Sequence, residues 1–251
     1  MKIFKYELKV ILRKPYVLAM SIITLLYGWF LLSTEMILGV SDTAPFSGWT
    51  FGKYMGDTTL LTMLVSLFLL ASVYSSRQKR VGILTDVTGF SVRKRMMIKS
   101  LIIGGYFLVM NMLLLVMGCV FLSVYFGKLY LGTYLLEYFV IGIPALVLVL
   151  GVGNLLGRIN PALVFVLMGV ILVLAFVAPE MCVDANGARW FEIAARSQAP
   201  EGARSQAPEG ARHLARHLAR YAVNRISYLA IGVAAWVLAA SRMAKKKKHA
   251  H

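Results

Sequence analysis

The chain has 251 residues, of which 59% are apolar and 15% charged; soluble domains run closer to half and a quarter. A spanning helix needs about 20 mostly apolar residues to cross roughly 30 Å of hydrocarbon, so six spans with short connections leave little room for a soluble catalytic domain. The net charge of +16 does not point to nucleic acid, because the basic residues lie beside apolar stretches and not on one folded face.

In chain order, residues 1–15 read as a basic amphipathic helix. Phe4, Leu8, Ile11 and Leu12 recur at helical spacing, while Lys2, Lys5, Lys9 and Arg13 fall on another face. That pattern suits a helix lying in the membrane interface, and Pro15 ends it. Apolar stretches then predict spans at 16–38, 58–75, 100–126, 133–156, 161–178 and 223–241. The first is too long for the apolar core of a cleavable leader and lacks a small-residue cleavage site. Gly157-Arg158-Ile159-Asn160-Pro161 is a turn signal between the fourth and fifth spans.

The expected fold is therefore an all-α membrane protein, one transmembrane domain over 1–251 with six transmembrane helices. An N-terminal amphipathic elbow helix occupies 1–15. A cytoplasmic segment covers 76–99, an external loop 179–225 and a basic cytoplasmic tail 242–251. With both termini cytoplasmic, 18 of the 27 Lys and Arg residues fall on cytoplasmic segments, which is the bias of a multi-pass protein in the cell membrane. Four lysines at Lys245–Lys248 follow the last span, where they meet anionic lipid headgroups.

The 179–225 loop contains ARSQAPEG at 195–202, repeated unchanged at 203–210, then ARHL twice over 211–218. This is no solenoid period. Within it, 211–226 has amphipathic helical spacing, with Leu214, Leu218 and Tyr221 on one side.

Enzyme signatures are missing. There is no H-E-x-x-H, G-x-S-x-G or phosphate-binding loop, so any uphill movement must draw its energy from a partner. His213 and His217 are spaced for one helical face, but two ligands do not fill a metal shell. Cys119 and Cys182 suggest no disulfide framework. Glu35 and Glu137 are read as solvated helix ends. Asn111 and Asn154 are read as bonding across helices.

The informative stretch is 76–100, SRQKRVGILTDVTGFSVRKRMMIKS. It is too polar to span and too long for a tight turn. Its centre, Val81, Gly82, Ile83, Leu84, Thr85, Asp86 and Val87, would present apolar groups to a docking partner between two basic clusters. The plain alternative is a positive-inside loop with no partner.

On these residues the chain resembles a membrane subunit of the ABC-2 type of ABC transporter. Arg77 to Arg80, Gly82, Ile83-Leu84, Gly89-Phe90, Arg93 and Lys99 match the family's cytoplasmic segment, and 1–15 matches its elbow helix. Two features depart from the pattern: basic residues precede Gly82 where the family often has an acid, and Gly89 stands where it often has Pro. The resemblance implies that Val81–Val87 couple to a cytoplasmic ABC ATPase subunit, which would bind ATP and Mg, so that this chain needs no cofactor of its own. It further implies a homodimer or heterodimer of permeases that exports an amphipathic or hydrophobic peptide or lipid. The competing readings are a non-transporting membrane anchor or assembly subunit, and, less well supported, an intramembrane enzyme.

Overall fold

The computed structural model describes residues 2–36, 48–75, 92–127, 131–177 and 208–248. Among them the chain forms seven α-helices and no strand: α1 (Lys2–Leu12), α2 (Pro15–Leu31), α3 (Gly48–Tyr74), α4 (Val92–Phe126), α5 (Leu131–Ile159), α6 (Pro161–Val177) and α7 (Pro208–Lys248). A π-helical turn at Leu32–Met36 extends α2. Five helices are long and apolar enough to cross a membrane, over Pro15–Thr34, Thr50–Tyr74, Lys94–Phe126, Tyr134–Ile159 and Tyr221–Ser241. The apolar part of α6, Pro161–Ala175, is shorter.

Local chemistry sets the breaks. Lys14 is extended before Pro15, because a residue preceding proline is pushed out of the helical region. Pro15 then opens α2, where its missing N–H costs nothing. At the α5–α6 junction Asn160 caps α6: its Oδ1 accepts from the Ala162 N–H at 3.0 Å, and Pro161 takes the first helical position. At the other end of the bundle, α4 stops at Gly127, whose φ of +63° lets its N–H bond back to the Ser123 carbonyl at 3.1 Å.

Four boundaries differ most from the expected ones. α3 begins at Gly48 and not at 58. The polar letters of 48–57 read as loop, yet Thr50, Phe51, Tyr54 and Met55 are buried on one face while Lys53 and Asp57 stay partly exposed on another. α4 begins at Val92 and not at 100, carrying Arg93, Lys94, Arg95 and Lys99 on its first turns. α7 begins at Pro208, so 208–225 is helix where an external loop is expected, and it continues into the expected tail as far as Lys248. The helix expected over 211–226 is present, with Tyr221 buried.

α3 is the central helix, with 72% of its apolar window buried against 28% for α2 and 33% for α7. The pairwise contacts fix directions. Tyr16 meets Ser72 and Gly28 meets Tyr54, so α2 and α3 are antiparallel. Thr59 meets Asn111 and Tyr54 meets Leu114, so α3 and α4 are antiparallel. Tyr138 meets Leu108 and Asn154 meets Ser100, so α4 and α5 are antiparallel. Gly151 lies on Gly232, and Arg158 reaches Ala239. Both pairs are 81 residues apart, so α5 and α7 run parallel.

Three apolar clusters follow one another along the bundle. Leu32, Phe51, Tyr54, Leu115, Tyr134 and Ile141 fill one end. Met63, Leu67, Phe107, Ala145 and Val164 fill the middle. Ile11, Val17, Leu70, Val73 and Ile103 fill the other. That last end also holds α1, the close of α3, the start of α4 and the close of both α5 and α7. It is called the basic end below, for Lys9, Arg13, Lys14, Lys94, Lys99 and Arg158.

α1 packs differently from an interfacial helix that turns its apolar side to lipid. Leu8, Ile11 and Leu12 lie in the cluster with α3 and α4. Glu7, on the same face, pairs with Lys99 of α4 at 3.8 Å. Phe4 and Tyr6 are left exposed beside Lys5 and Lys9.

Candidate functional site

The residues expected to dock a partner, Val81–Val87, lie in 76–91, outside the described residues. The structure does place the two chain segments that lead into that stretch. Tyr74 ends α3 and Ser100 stands near the start of α4. The two are joined through α5. The Tyr74 hydroxyl donates to Asn154 Oδ1 at 2.7 Å, and Asn154 Nδ2 donates to Ser100 Oγ at 3.0 Å. Asn154 is 2% exposed, and its amide also donates to the Leu150 carbonyl on its own helix. One turn further on, Arg158 donates from Nη1 to the Ala239 carbonyl of α7. Four helices are thus tied at the basic end by two α5 side chains spaced i, i+4.

Asn111 also bonds across helices, as expected. Its Oδ1 accepts from Thr59 at 3.1 Å and its Nδ2 donates to the Phe107 carbonyl at 3.0 Å. In hydrocarbon the alternative to such partners is an unsatisfied polar group, which is why buried asparagines settle between helices.

Glu137 is a correction. It is expected at a solvated helix end, but it is fully buried. Glu137, Pro144, Gly151 and Arg158 are spaced by seven along α5, which places them on the line that faces α7. On α7 the corresponding line carries Arg225, Gly232 and Ala239. Arg225 is 5% exposed, and its guanidinium lies 4.8 Å from the Tyr221 ring centre and 5.6 Å from that of Tyr228. The sequence reading does not single out Arg225. The available signal is a lone arginine inside an apolar span with tyrosines at i−4 and i+3, the spacing at which rings on one helical face can sandwich a cation.

The remaining candidates carry less. The side chains of Glu35, His213 and His217, and all of Cys182, lie outside the described residues. Cys119 is buried among the helices. Among the described residues no three His, Cys, Asp or Glu side chains gather as a metal site would require.

Comparison of the chain with protein-family models, with curated proteins and with solved structures gives no match. The arrangement at the basic end has to be read on its own chemistry. It offers no nucleophile and base together and no metal cluster among the described residues. What it offers is a polar junction: the two helices that flank the 76–91 segment are hydrogen-bonded to the same side chain of a third.

Proposed function

We propose that the chain is the membrane-spanning permease subunit of an ATP-driven exporter, working with a separate cytoplasmic ABC ATPase. The observation that carries this reading is the junction at the basic end. There the close of α3, the early turns of α4 and the close of α7 are tied to α5 through Asn154 and Arg158.

In this reading α6 is a sixth crossing. α5 and α7 run parallel side by side, so the chain between them must return through the length of the bundle. The 17 residues of α6 rise about 26 Å at 1.5 Å per residue, close to the roughly 30 Å of hydrocarbon. Both termini then share the basic end, and the excess of Lys and Arg there assigns it to the cytoplasm. α1 sits at that interface, with Phe4 and Tyr6 turned to lipid and its lysines to headgroups.

Closure of the ATPase around ATP and Mg would press on Val81–Val87. The bundle would rock between inward- and outward-facing states, in a dimer with an identical or related permease. Exposed Leu18, Ile22, Leu26 and Phe30 of α2 and Leu101, Val109, Leu113 and Val120 of α4 suit a wall along which an apolar or amphipathic cargo, a peptide or a lipid, moves in contact with membrane.

The test is isolation of the tagged chain from its own membrane in mild detergent, followed by assay of Mg-dependent ATP hydrolysis in the complex. Hydrolysis should co-purify. Gly82→Trp and Asp86→Lys should leave the bundle folded and lower the hydrolysis by loss of docking. A complex with no ATP hydrolysis, or hydrolysis indifferent to both substitutions, would leave the anchor reading in its place.

A further inference from the structure

The two helices that flank the 76–91 segment meet at one side chain. Tyr74 closes α3 and donates to Asn154; Ser100 stands near the opening of α4 and accepts from Asn154. The contact is backed by packing. A Cβ on Gly157, one turn beyond Asn154, would come within 2.5 Å of the Tyr74 ring, so the ring lies flush against α5 only because that position is glycine. Ser100 is 6% exposed and Asn154 2%, so little water reaches the junction to replace a broken bond. Arg158, four residues on, then hands α5 to α7 through the Ala239 carbonyl.

A loop between two helices ordinarily moves each helix separately, through its own end. Here neither α3 at Tyr74 nor α4 at Ser100 can shift against α5 without breaking a hydrogen bond to the same amide. We propose that Asn154 is a positioning residue that clamps the two helices flanking the 76–91 segment, α3 at Tyr74 and α4 at Ser100, to α5, so that a push on that segment is delivered to α5 and, through Arg158, to α7. The clamp follows from the hydrogen bonds alone. Its use in delivering a push rests on the reading of 76–91 as the segment that meets an ATPase.

The line of delivery has a consequence for the fold. α5 and α7 are the parallel pair, in contact through Gly151 and Gly232. Motion passed to α5 at Asn154 is therefore shared at once by the helix beside it, while α2 and α6 make no contact with Asn154 in any bond described. The two would carry the tied parts of α3 and α4 with them and shift against α2 and α6. Small displacements at packed interfaces are passed on in this way because packed helices slide as bodies and do not deform continuously.

The experiment uses the full chain in nanodiscs of phosphatidylcholine and phosphatidylglycerol. Amide hydrogen exchange is followed in peptides over 68–75, 92–100 and 161–177 for the wild type, Asn154→Leu, Tyr74→Phe and the double variant. Asn154→Leu keeps the number and branching of side-chain heavy atoms and removes both bonds. It should speed exchange at 68–75 and at 92–100 about tenfold, the equivalent of roughly 1.4 kcal/mol, and leave α6 unchanged. Tyr74→Phe should loosen 68–75 alone. The double variant should loosen 68–75 no more than Asn154→Leu does, because both remove the same bond. Wild-type rates at both ends in Asn154→Leu, or equal acceleration in α6, would overturn the clamp.

Delivery is tested in the complex with the ATPase. Asn154→Leu should keep Mg-dependent ATP hydrolysis and lose the hydrolysis-dependent change in spin-label distance between α5 and α2. An unaltered distance change in a variant whose segment ends are loosened refutes delivery. A complex without ATP hydrolysis refutes the transporter reading and leaves the clamp standing.

Discussion

Gly151→Ala and Gly232→Ala put the parallel packing of α5 and α7 to a quantitative test. A Cβ on Gly232 would stand 2.5 Å from the Val147 carbonyl oxygen and 2.7 Å from its carbon, and one on Gly151 would fall almost on the Gly232 carbonyl oxygen. A carbon and a carbonyl oxygen approach no closer than about 3.3 Å even in the weak hydrogen bonds common between helices. The obstacle is backbone on both sides, which no rotamer change can move. The helices must therefore part by about 1 Å for Gly232→Ala, and by more for Gly151→Ala. Overpacking of this kind costs about 1–3 kcal/mol. Alanine returns about 0.5–1 kcal/mol of helix propensity relative to glycine, so the net loss is smaller than the steric term. Gly169→Ala on α6 isolates that return, because a Cβ there meets nothing within 4 Å. Stability would be read as the detergent mole fraction of dodecyl sulfate at half unfolding in mixed micelles. The difference between Gly232→Ala and Gly169→Ala should be about 1–3 kcal/mol. The double variant should lose less than the two single losses together, since helices already parted admit the second methyl cheaply. If both variants unfolded at the same mole fraction as Gly169→Ala, the close α5–α7 contact, and the parallel register read from it, would be wrong.

Other outcomes follow from contacts at either end of the bundle. Asn111→Leu removes the bond from Thr59 and should destabilise by about 0.6–1.7 kcal/mol, the range for hydrogen bonds between membrane helices, measured in the same micelle titration. Glu7→Gln removes the counter-charge from Lys99 in a largely buried pair, so it should cost more than the ~0–1 kcal/mol of an exposed pair; the readout is faster amide exchange in α1, which added salt should reproduce only weakly in the wild type. With Cys119 and Cys182 replaced, single cysteines at positions 1 and 251 should react with an impermeant maleimide from the same side of sealed vesicles, and one at position 129 from the opposite side. Labelling of positions 1 and 251 from opposite sides would remove the sixth crossing.

How far the sequence carries depends on what each element is made of. Where apolar letters are continuous, as in 101–126 and 161–177, hydropathy alone locates the helix. It fails at 48–57, because Lys53 and Asp57 make the average polar while the buried face of Thr50, Phe51, Tyr54 and Met55 is visible only once a neighbouring helix exists to bury it. Glu137 fails for a related reason. Its distance from the end of the span suggests access to water, but access is decided by what covers it, and α5 turns that line of residues toward α7. The candidate site divides the same way. Asn111 and Asn154 could be marked as interhelical from type and position, since an amide in hydrocarbon has few other options. That Asn154 would take Tyr74 and Ser100 as its two partners could not be read, because the pairing joins three helices whose order in space no local pattern records.

The direction of α6 shows how a contact between two other helices can decide what composition leaves open. At 17 residues, with a mean composition as apolar as any stretch in the chain, α6 fits a short crossing or a buried core helix equally well by length. On the six-span reading proposed above, its neighbours favour the crossing. α5 ends at the basic end, where Arg158 meets Ala239 near the close of α7, while the span of α7 opens at Tyr221, a bundle-length away. A core helix folded back at the basic end would leave that length to be covered by residues 178–207 alone. An α6 that crosses covers it with apolar helix, packed by Phe165 against Phe68 of the central helix and by Val164 and Ile171 in the middle cluster. In that proposed arrangement the outward side of α6, with Val166, Val170 and Val173 exposed, would face lipid, which suits a helix so uniformly apolar.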